Sequence, residues 1–173
     1  VTPAEINGTW RCIVLAVKAH HTEHAAKALL PHLAADGFVL SAQNGLNELV
    51  IGKVVGENRV MGCFVNYGAD YMAPGRIMRG NHGAVVVGEL DGSVTPRLKA
   101  TYALLREFEP DAIMTTDIWF YLWGKLGYGA LLFATALTNA SIADALASER
   151  HRGVYLEQGR EVMAVAASRG EKP

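Results

Sequence analysis

The chain has 173 residues, half of them hydrophobic and 19% charged, enough for one ordinary domain with a real core or for parts of two. Its formal net charge is −1 and it holds no Lys/Arg run or basic amphipathic stripe, which argues against nucleic acid or an anionic membrane surface as a partner. Cys12 and Cys63 form neither a CxxC pair nor a disulfide framework, and each sits in an apolar run, as small hydrophobes in a reducing cytosol do.

The chain opens on Val1-Thr2-Pro3-Ala4-Glu5, without a basic n-region or an apolar h-region, so this is not a signal peptide. The missing initiator Met reads as an internal piece of a longer reading frame. Cys12 to Val17 is short, apolar and rich in β-branched residues, the pattern of a strand buried on both faces. Thr22 then caps a helix through about Ala35, with Ala25, Leu29 and Leu33 at core spacing and Pro31 kinking or shortening it. Asp36-Gly37 ends that unit, and Phe38 to Ala42 is the next strand. Gln43-Asn44-Gly45 is a loop. Leu46, Leu49, Val50 and Val54 mark a helix closed by Gly56, and Arg59 to Val65 is a third strand. Strand, helix, strand, helix, strand is the pattern of βαβ crossovers in a parallel sheet.

The pattern loosens from Tyr67 to Gly83, through Gly68, Pro74, Gly75 and Gly80. Ala84 to Leu90 is a strand ended by Asp91-Gly92. Thr95-Pro96 starts a helix that runs to about Phe108, with Thr as N-cap and Pro in the first helical position. Ala112 to Thr115 is a short strand. Asp117 caps a segment, Ile118 to Leu137, that is almost wholly apolar and carries a single charge, Lys125. Ile142 to Leu146 and Val154 to Ala167 are helical. The change from α/β to all-α near Thr116 divides the chain into an α/β part, residues 1–116, and a helical part, residues 117–173.

Lys125 is the most informative side chain. An ammonium in an apolar helix costs several kcal/mol unless it is paired, shifted in pKa or used. Its neighbours Trp123, Leu126 and Tyr128 should hold its pKa below the free value. A second signal lies at the strand ends. Lys18, Gln43-Asn44-Gly45 and Asn66 each follow an apolar strand. The strands of a parallel sheet end on one edge, where ligands bind. Lys18, Asn44 and Asn66 should therefore share a cleft, and Gly45 lets the backbone approach a ligand closely. The plainer explanation is that loops after strands are wet.

Other polar residues read as structural. His20, His21 and His24 with Glu23 have helical spacing but no HExxH and no distant ligand group, so no metal site is expected and a solvated helical turn is. Trp10, Trp119 and Trp123 read as packing residues. Ser41 and Ser141 lack a nucleophile elbow, and Glu157 and Glu161 form a solvated helix face. No GxGxxG or GxxxxGK[ST] occurs, so the 173 residues hold no glycine-rich phosphate cradle.

Three stretches together resemble the ketopantoate reductase (2-dehydropantoate 2-reductase) family: Val14 to Thr22 with Lys18, then Gln43-Asn44-Gly45-Leu46-Asn47-Glu48, then Trp119 through Lys125-Leu126. The order and spacing agree along almost the whole chain. The resemblance implies a Rossmann-type parallel sheet followed by an all-α domain, each present in part, with the active site between them. It implies a cytoplasmic enzyme of pantothenate biosynthesis that uses NADP to reduce a 2-keto acid to the 2-hydroxy acid. Cofactor contacts fall on Lys18, Asn44, Gly45 and Gly68, and substrate contacts on Asn44, Asn66 and Lys125. Lys125 is then the general acid that protonates the keto oxygen, which agrees with its reading as a functional charge. A homodimer through the helical domain is implied as well.

The family also has a glycine-rich unit before the equivalent of Val1 and helices after that of Pro173, so the chain reads as an internal fragment, inactive alone. The family often carries asparagines one and two turns after the lysine, where this chain has Gly129 and Phe133. That departure puts the pantoate substrate in doubt, leaving room for a bulkier group in a less polar pocket. The rival reading from another class is a non-catalytic relative that serves dimerisation or nucleotide sensing. A membrane span over Ile118 to Leu137 is opposed by Lys125, Gly124, Gly127 and Gly129 and by the α/β pattern upstream.

Overall fold

The computed structural model describes residues 5–171; the opening Val1 to Ala4, read above as the start of a fragment, lies outside them. Seven strands run in chain order: β1 (Trp10–Leu15), β2 (Leu33–Ser41), β3 (Val60–Val65), β4 (Ala69–Ala73), β5 (Arg76–Arg79), β6 (Val85–Glu89) and β7 (Ile113–Met114). The helices are α1 (Thr22–Leu29), α2 (Glu48–Val55), α3 (Pro96–Phe108), α4 (Ile118–Thr135), α5 (Ile142–Ala147) and α6 (Arg152–Ser168). The chain divides into two compact units, residues 1–118 and 119–173.

The first unit is built on a five-stranded sheet of order β1-β2-β3-β6-β7. The β1–β2, β2–β3 and β6–β7 pairs are parallel. β6 runs antiparallel to β3, with Met61 opposite Glu89 and Val65 opposite Val85, so the sheet is mixed rather than wholly parallel. Alternation along each strand feeds two cores. Phe38, Leu40, Met61, Cys63, Val85 and Val87 pack on one face with Leu98 of α3. Leu15, Val39 and Val60 pack on the other with Ile51 and Val55 of α2 and with Ala25 and Leu29 of α1.

Several expectations are corrected. The first strand is not buried on both faces: it lies at the sheet edge, with Trp10 56% and Val14 58% exposed and Cys12 exposed. Trp10 is therefore not a packing residue, whereas Trp123 is buried. The first helix stops at Leu29, followed by a 3₁₀ turn over Leu30–His32 that contains Pro31. Its N-cap position is held by His21, and the Thr22 side chain is used elsewhere. Leu33 to Ala35 is extended, and Asp36-Gly37 lies inside β2. There the pairing slips, since Trp10 faces Leu33 while Cys12 faces Phe38. The stretch from Tyr67 to Gly83 contains an antiparallel β4–β5 hairpin that turns at Pro74-Gly75, with Gly75 at φ 74°.

α3 starts as its sequence predicts, with the Thr95 hydroxyl accepting from the Leu98 N–H at 3.1 Å. A buried ion pair anchors that helix to β6. Arg97 donates through Nε to Glu89 Oε1 at 2.8 Å and through Nη2 to Oε2 at 2.5 Å, and Nη1 reaches the Asn58 carbonyl. The Glu89 side chain is 3% exposed and also accepts from Thr95 Oγ1.

The second unit is helical. Ser141 caps α5 by accepting from the Asp144 N–H, and a Cβ on Gly127 would lie 2.7 Å from Met163 Cε, so α4 and α6 approach closely there. Among the described residues no helix is long and apolar enough to cross a membrane, and no group of His, Cys, Asp or Glu could hold a metal ion.

Removing one partner of a buried ion pair leaves the other charge uncompensated. Arg97→Met is expected to lower unfolding stability by about 3 kcal/mol, measured by urea denaturation, and adding Glu89→Gln should restore part of the loss. Unchanged stability in the single variant would show that Glu89 is not dependent on Arg97.

Candidate functional site

β1, β2 and β3 are adjacent and parallel, so the segments that follow them emerge on one edge of the sheet. Lys18 follows β1, Asn44 and Gly45 follow β2, and Asn66 follows β3. Leu15 pairs with Ser41 and Ser41 with Gly62, so carrying the register on sets Asn44 level with Val65, next to Asn66. Lys18, Asn44 and Asn66 are all exposed. Gly45 has φ 96°, a left-handed conformation that favours glycine, and a Cβ there would meet nothing closer than Asn47 Nδ2 at 3.6 Å.

A buried amide network holds this edge. Gln43 Nε2 donates to the Val17 carbonyl at 2.6 Å and to Thr22 Oγ1 at 2.8 Å. Thr22 Oγ1 donates to Asn47 Oδ1 at 2.9 Å, and Asn47 Nδ2 donates to the Asn44 carbonyl at 2.7 Å. The Ala42 N–H continues the sheet pairing onto the Leu15 carbonyl at 3.0 Å. Three side chains thus join the loop after β1, the loop after β2 and the starts of α1 and α2. The exposed Lys18 and Asn44 sit on a fixed base, as a binding edge requires.

Gly68 lies at the foot of the β4–β5 hairpin. Its N–H donates to Asn81 Oδ1 at 3.0 Å and its carbonyl accepts from the Gly80 N–H at 2.8 Å. Gly83 passes so close to the Asn66 carbonyl that any side chain there would collide with it. Lys125 belongs to the second unit, two turns into α4, and is half-buried. Phe133, further along that helix, is 80% exposed.

Glu48, the first residue of α2, closes the second stretch that resembles the family but has no expected role there. It is fully buried, together with Ile51, Gly52 and Val55 on one helix face. Glu48, Ile51, Gly52 and Val55 have i, i+3, i+4, i+7 spacing, which was the available signal. Neither carboxyl oxygen makes a hydrogen bond, and the same is true of Ser41 Oγ and Gln43 Oε1. Burial pushes the Glu48 carboxyl up to about 7, opposed by its own backbone N–H and by the nearby Ser41 hydroxyl.

The chain matches the family model described as ketopantoate reductase PanE/ApbA over residues 1–92. It is 32% identical to a 2-dehydropantoate 2-reductase of Archaeoglobus fulgidus, over 86% of this chain and 51% of that protein. The crystal structure of 2-dehydropantoate 2-reductase from Methylococcus capsulatus shares the fold, with a TM-score of 0.84 at 24% identity over 99% of this chain and 56% of that one. So does D-mandelate dehydrogenase in complex with NADH, with a TM-score of 0.81 at 20% identity over 93% of this chain and 55% of that one. The chain spans about half the length of these relatives.

Glu48 makes stability depend on pH. Its folded value of about 7 lies above the ordinary 4.5, so the folded state holds this proton more tightly than the unfolded chain does. The contribution is complete below about pH 4.5 and is lost as pH rises through about 7. Glu48→Gln keeps the neutral shape, so it should come within about 1 kcal/mol of the wild type near pH 5 and exceed it by up to roughly 3 kcal/mol near pH 8. Urea unfolding at the two pH values checks this, and an equal difference at both would contradict it.

Proposed function

The chain belongs to the ketopantoate reductase family, and on that premise we propose that the full-length protein reduces a 2-keto acid to the 2-hydroxy acid with NADPH. The observation that carries the reading is the strand edge, where three adjacent parallel strands deliver Lys18, Asn44 and Asn66 on an anchored base. The edge suits the nicotinamide end of the cofactor: an exposed ammonium, an exposed amide, and a backbone opened by Gly45. Lys18, Asn44, Gly45 and Gly68 are the cofactor contacts in this reading, and Asn44, Asn66 and Lys125 are the substrate contacts. When bound, the reduced nicotinamide supplies the hydride.

The other half of the chemistry is a proton. Reduction of a carbonyl leaves charge on oxygen, and a positioned acid within hydrogen-bond reach removes it. Lys125 takes that role: its Nζ carries the proton to the keto oxygen, and Asn44 and Asn66 orient the substrate. Gly129 and Phe133 favour a substrate bulkier and less polar than ketopantoate, since glycine leaves space one turn beyond the lysine. The rival non-catalytic reading predicts nucleotide binding with no turnover on any keto acid. A homodimer through the helical unit is part of the proposal, supported by the exposure of Phe120, Tyr128, Phe133 and Leu137, and light scattering of the full-length protein tests it.

Assay of NADPH oxidation across a panel of 2-keto acids tests the reading. Lys125→Ala should lower kcat by about 10²-fold or more, the usual scale for loss of a general acid, with a smaller effect on cofactor affinity. Lys125→Arg should rescue little, because guanidinium does not release its proton. Near-normal kcat in the alanine variant would remove Lys125 from the mechanism.

The 173 residues, which carry no glycine-rich phosphate turn, are expected to bind NADPH weakly by themselves. Fluorescence titration showing micromolar affinity would contradict that.

A further inference from the structure

We infer that Glu48 is the positioning residue of the Asn44–Gly45 loop, joining the end of β2 to the first turn of α2 as a neutral acid and loosening the loop when it ionises. The inference deepens the proposed function and relies on it only for the identity of the ligand that the loop meets.

Ser41 is the last residue of β2 and Glu48 the first of α2, so the two form the stems of the loop over residues 42–47. Ser41 and Glu48 are fully buried, and Gln43 is 6% exposed. Four of their polar atoms lack partners: Ser41 Oγ, Gln43 Oε1 and both Glu48 oxygens. The orientation of the Gln43 amide is settled, because the Val17 carbonyl can only accept and must face Nε2. Its Oε1 is therefore an acceptor. With Glu48 ionised, its carboxylate oxygens have only the Ser41 hydroxyl and their own backbone N–H to accept from. With Glu48 protonated there are two donors, and the stems can bond to each other.

The surroundings point the same way. Leu15, Val39 and Ile51 belong to the apolar core on this face of the sheet, and none offers a side-chain donor. The charged and titratable groups on the neighbouring elements are Arg11 on β1, Asp36 on β2, Lys18, His20 and His21 before α1, Glu23, His24 and Lys27 on α1, Lys53 on α2, and Glu57 and Arg59 in the turn after it; all are exposed except Arg59, which is half-buried and donates to the Gly37 and Ala34 carbonyls. None contributes to the balance at Glu48, which is set by burial against its own N–H and the Ser41 hydroxyl.

The loop is coupled directly to this acid. Asn47 immediately precedes Glu48 and holds the Asn44 carbonyl at 2.7 Å. A shift of the first turn of α2 therefore moves Asn47, and with it Asn44. Glu48 does not touch the ligand in this account, and it acts through the loop that does.

Hydrogen exchange of the loop over residues 42–47, followed by mass spectrometry and referenced to the unfolded chain, tests the inference without any ligand. In the wild type, loop opening should rise about tenfold between about pH 6 and about pH 8, as Glu48 passes from mostly protonated to mostly ionised. In Glu48→Gln it should stay level. NADPH affinity of the full-length protein should fall over the same interval in the wild type and stay level in the variant. A pH-dependent loop in a protein that binds no NADPH would leave the inference standing and overturn the proposed function. Identical exchange in wild type and variant at both pH values would overturn the inference. Carbon-13 NMR of the wild-type Glu48 carboxyl covers the case of a variant that does not fold: titration near 7 supports the inference, and titration near the ordinary 4.5 overturns it.

Discussion

The bond from the Gln43 amide to the Val17 carbonyl is the constraint on which the candidate site depends. A parallel sheet places strand ends on one edge but leaves the following segments free to diverge. Here one buried side chain holds two of them together, at 2.6 Å to Val17 and 2.8 Å to Thr22. Thr22 passes the constraint to Asn47, and Asn47 to Asn44. The Gln43, Thr22 and Asn47 side chains are buried, so breaking the bonds among them would leave desolvated polar atoms. That penalty keeps the edge in one arrangement, with Lys18 and Asn44 facing outward from it.

Two electrostatic solutions coexist in the first unit. Glu89 is buried, and Arg97 and Thr95 supply its hydrogen bonds. Glu48 is equally buried and has no such partners, so burial pushes it up to about 7. The first arrangement secures α3 to the last residue of β6, opposite Met61 near the start of β3 and so at the other edge of the sheet from the ends of β1, β2 and β3. The second sits at the stem of the loop that carries Asn44, where a proton can alter geometry. Acids shifted this far cluster at functional sites, and this one lies at the stem of the candidate edge.

Much of the architecture could be read from local chemistry. Thr95-Pro96 marked the start of α3, and the Thr95 hydroxyl does cap it. Gly56 closed α2 in a left-handed conformation, as a terminal glycine does. The adjacency of the first three strands followed from the alternation of strands and helices. Strand direction after β3 could not be read, because an apolar run such as Ala84 to Leu90 has the same composition either way round. The β4–β5 hairpin was missed although Pro74-Gly75 is a type II turn signal, since its strands are short and exposed and lack a buried alternation. The helical spacing of Ala25, Leu29 and Leu33 carried the α1 reading too far: Pro31 and the pairing of β2 with β1 override it. At the site, the residues on the edge were legible as polar groups after strands. The network beneath them was not, because Gln43, Thr22 and Asn47 meet only in three dimensions.

The central claim is that the C-terminal edge of β1, β2 and β3 is where the nicotinamide cofactor sits. Amide chemical-shift mapping of the full-length protein titrated with NADPH tests it most directly. The account predicts the largest shifts at Lys18, Asn44, Gly45 and Gly68. Saturable shifts confined to other parts of the protein, such as β1 or the distal end of the β4–β5 hairpin, with these four residues unmoved, would contradict it.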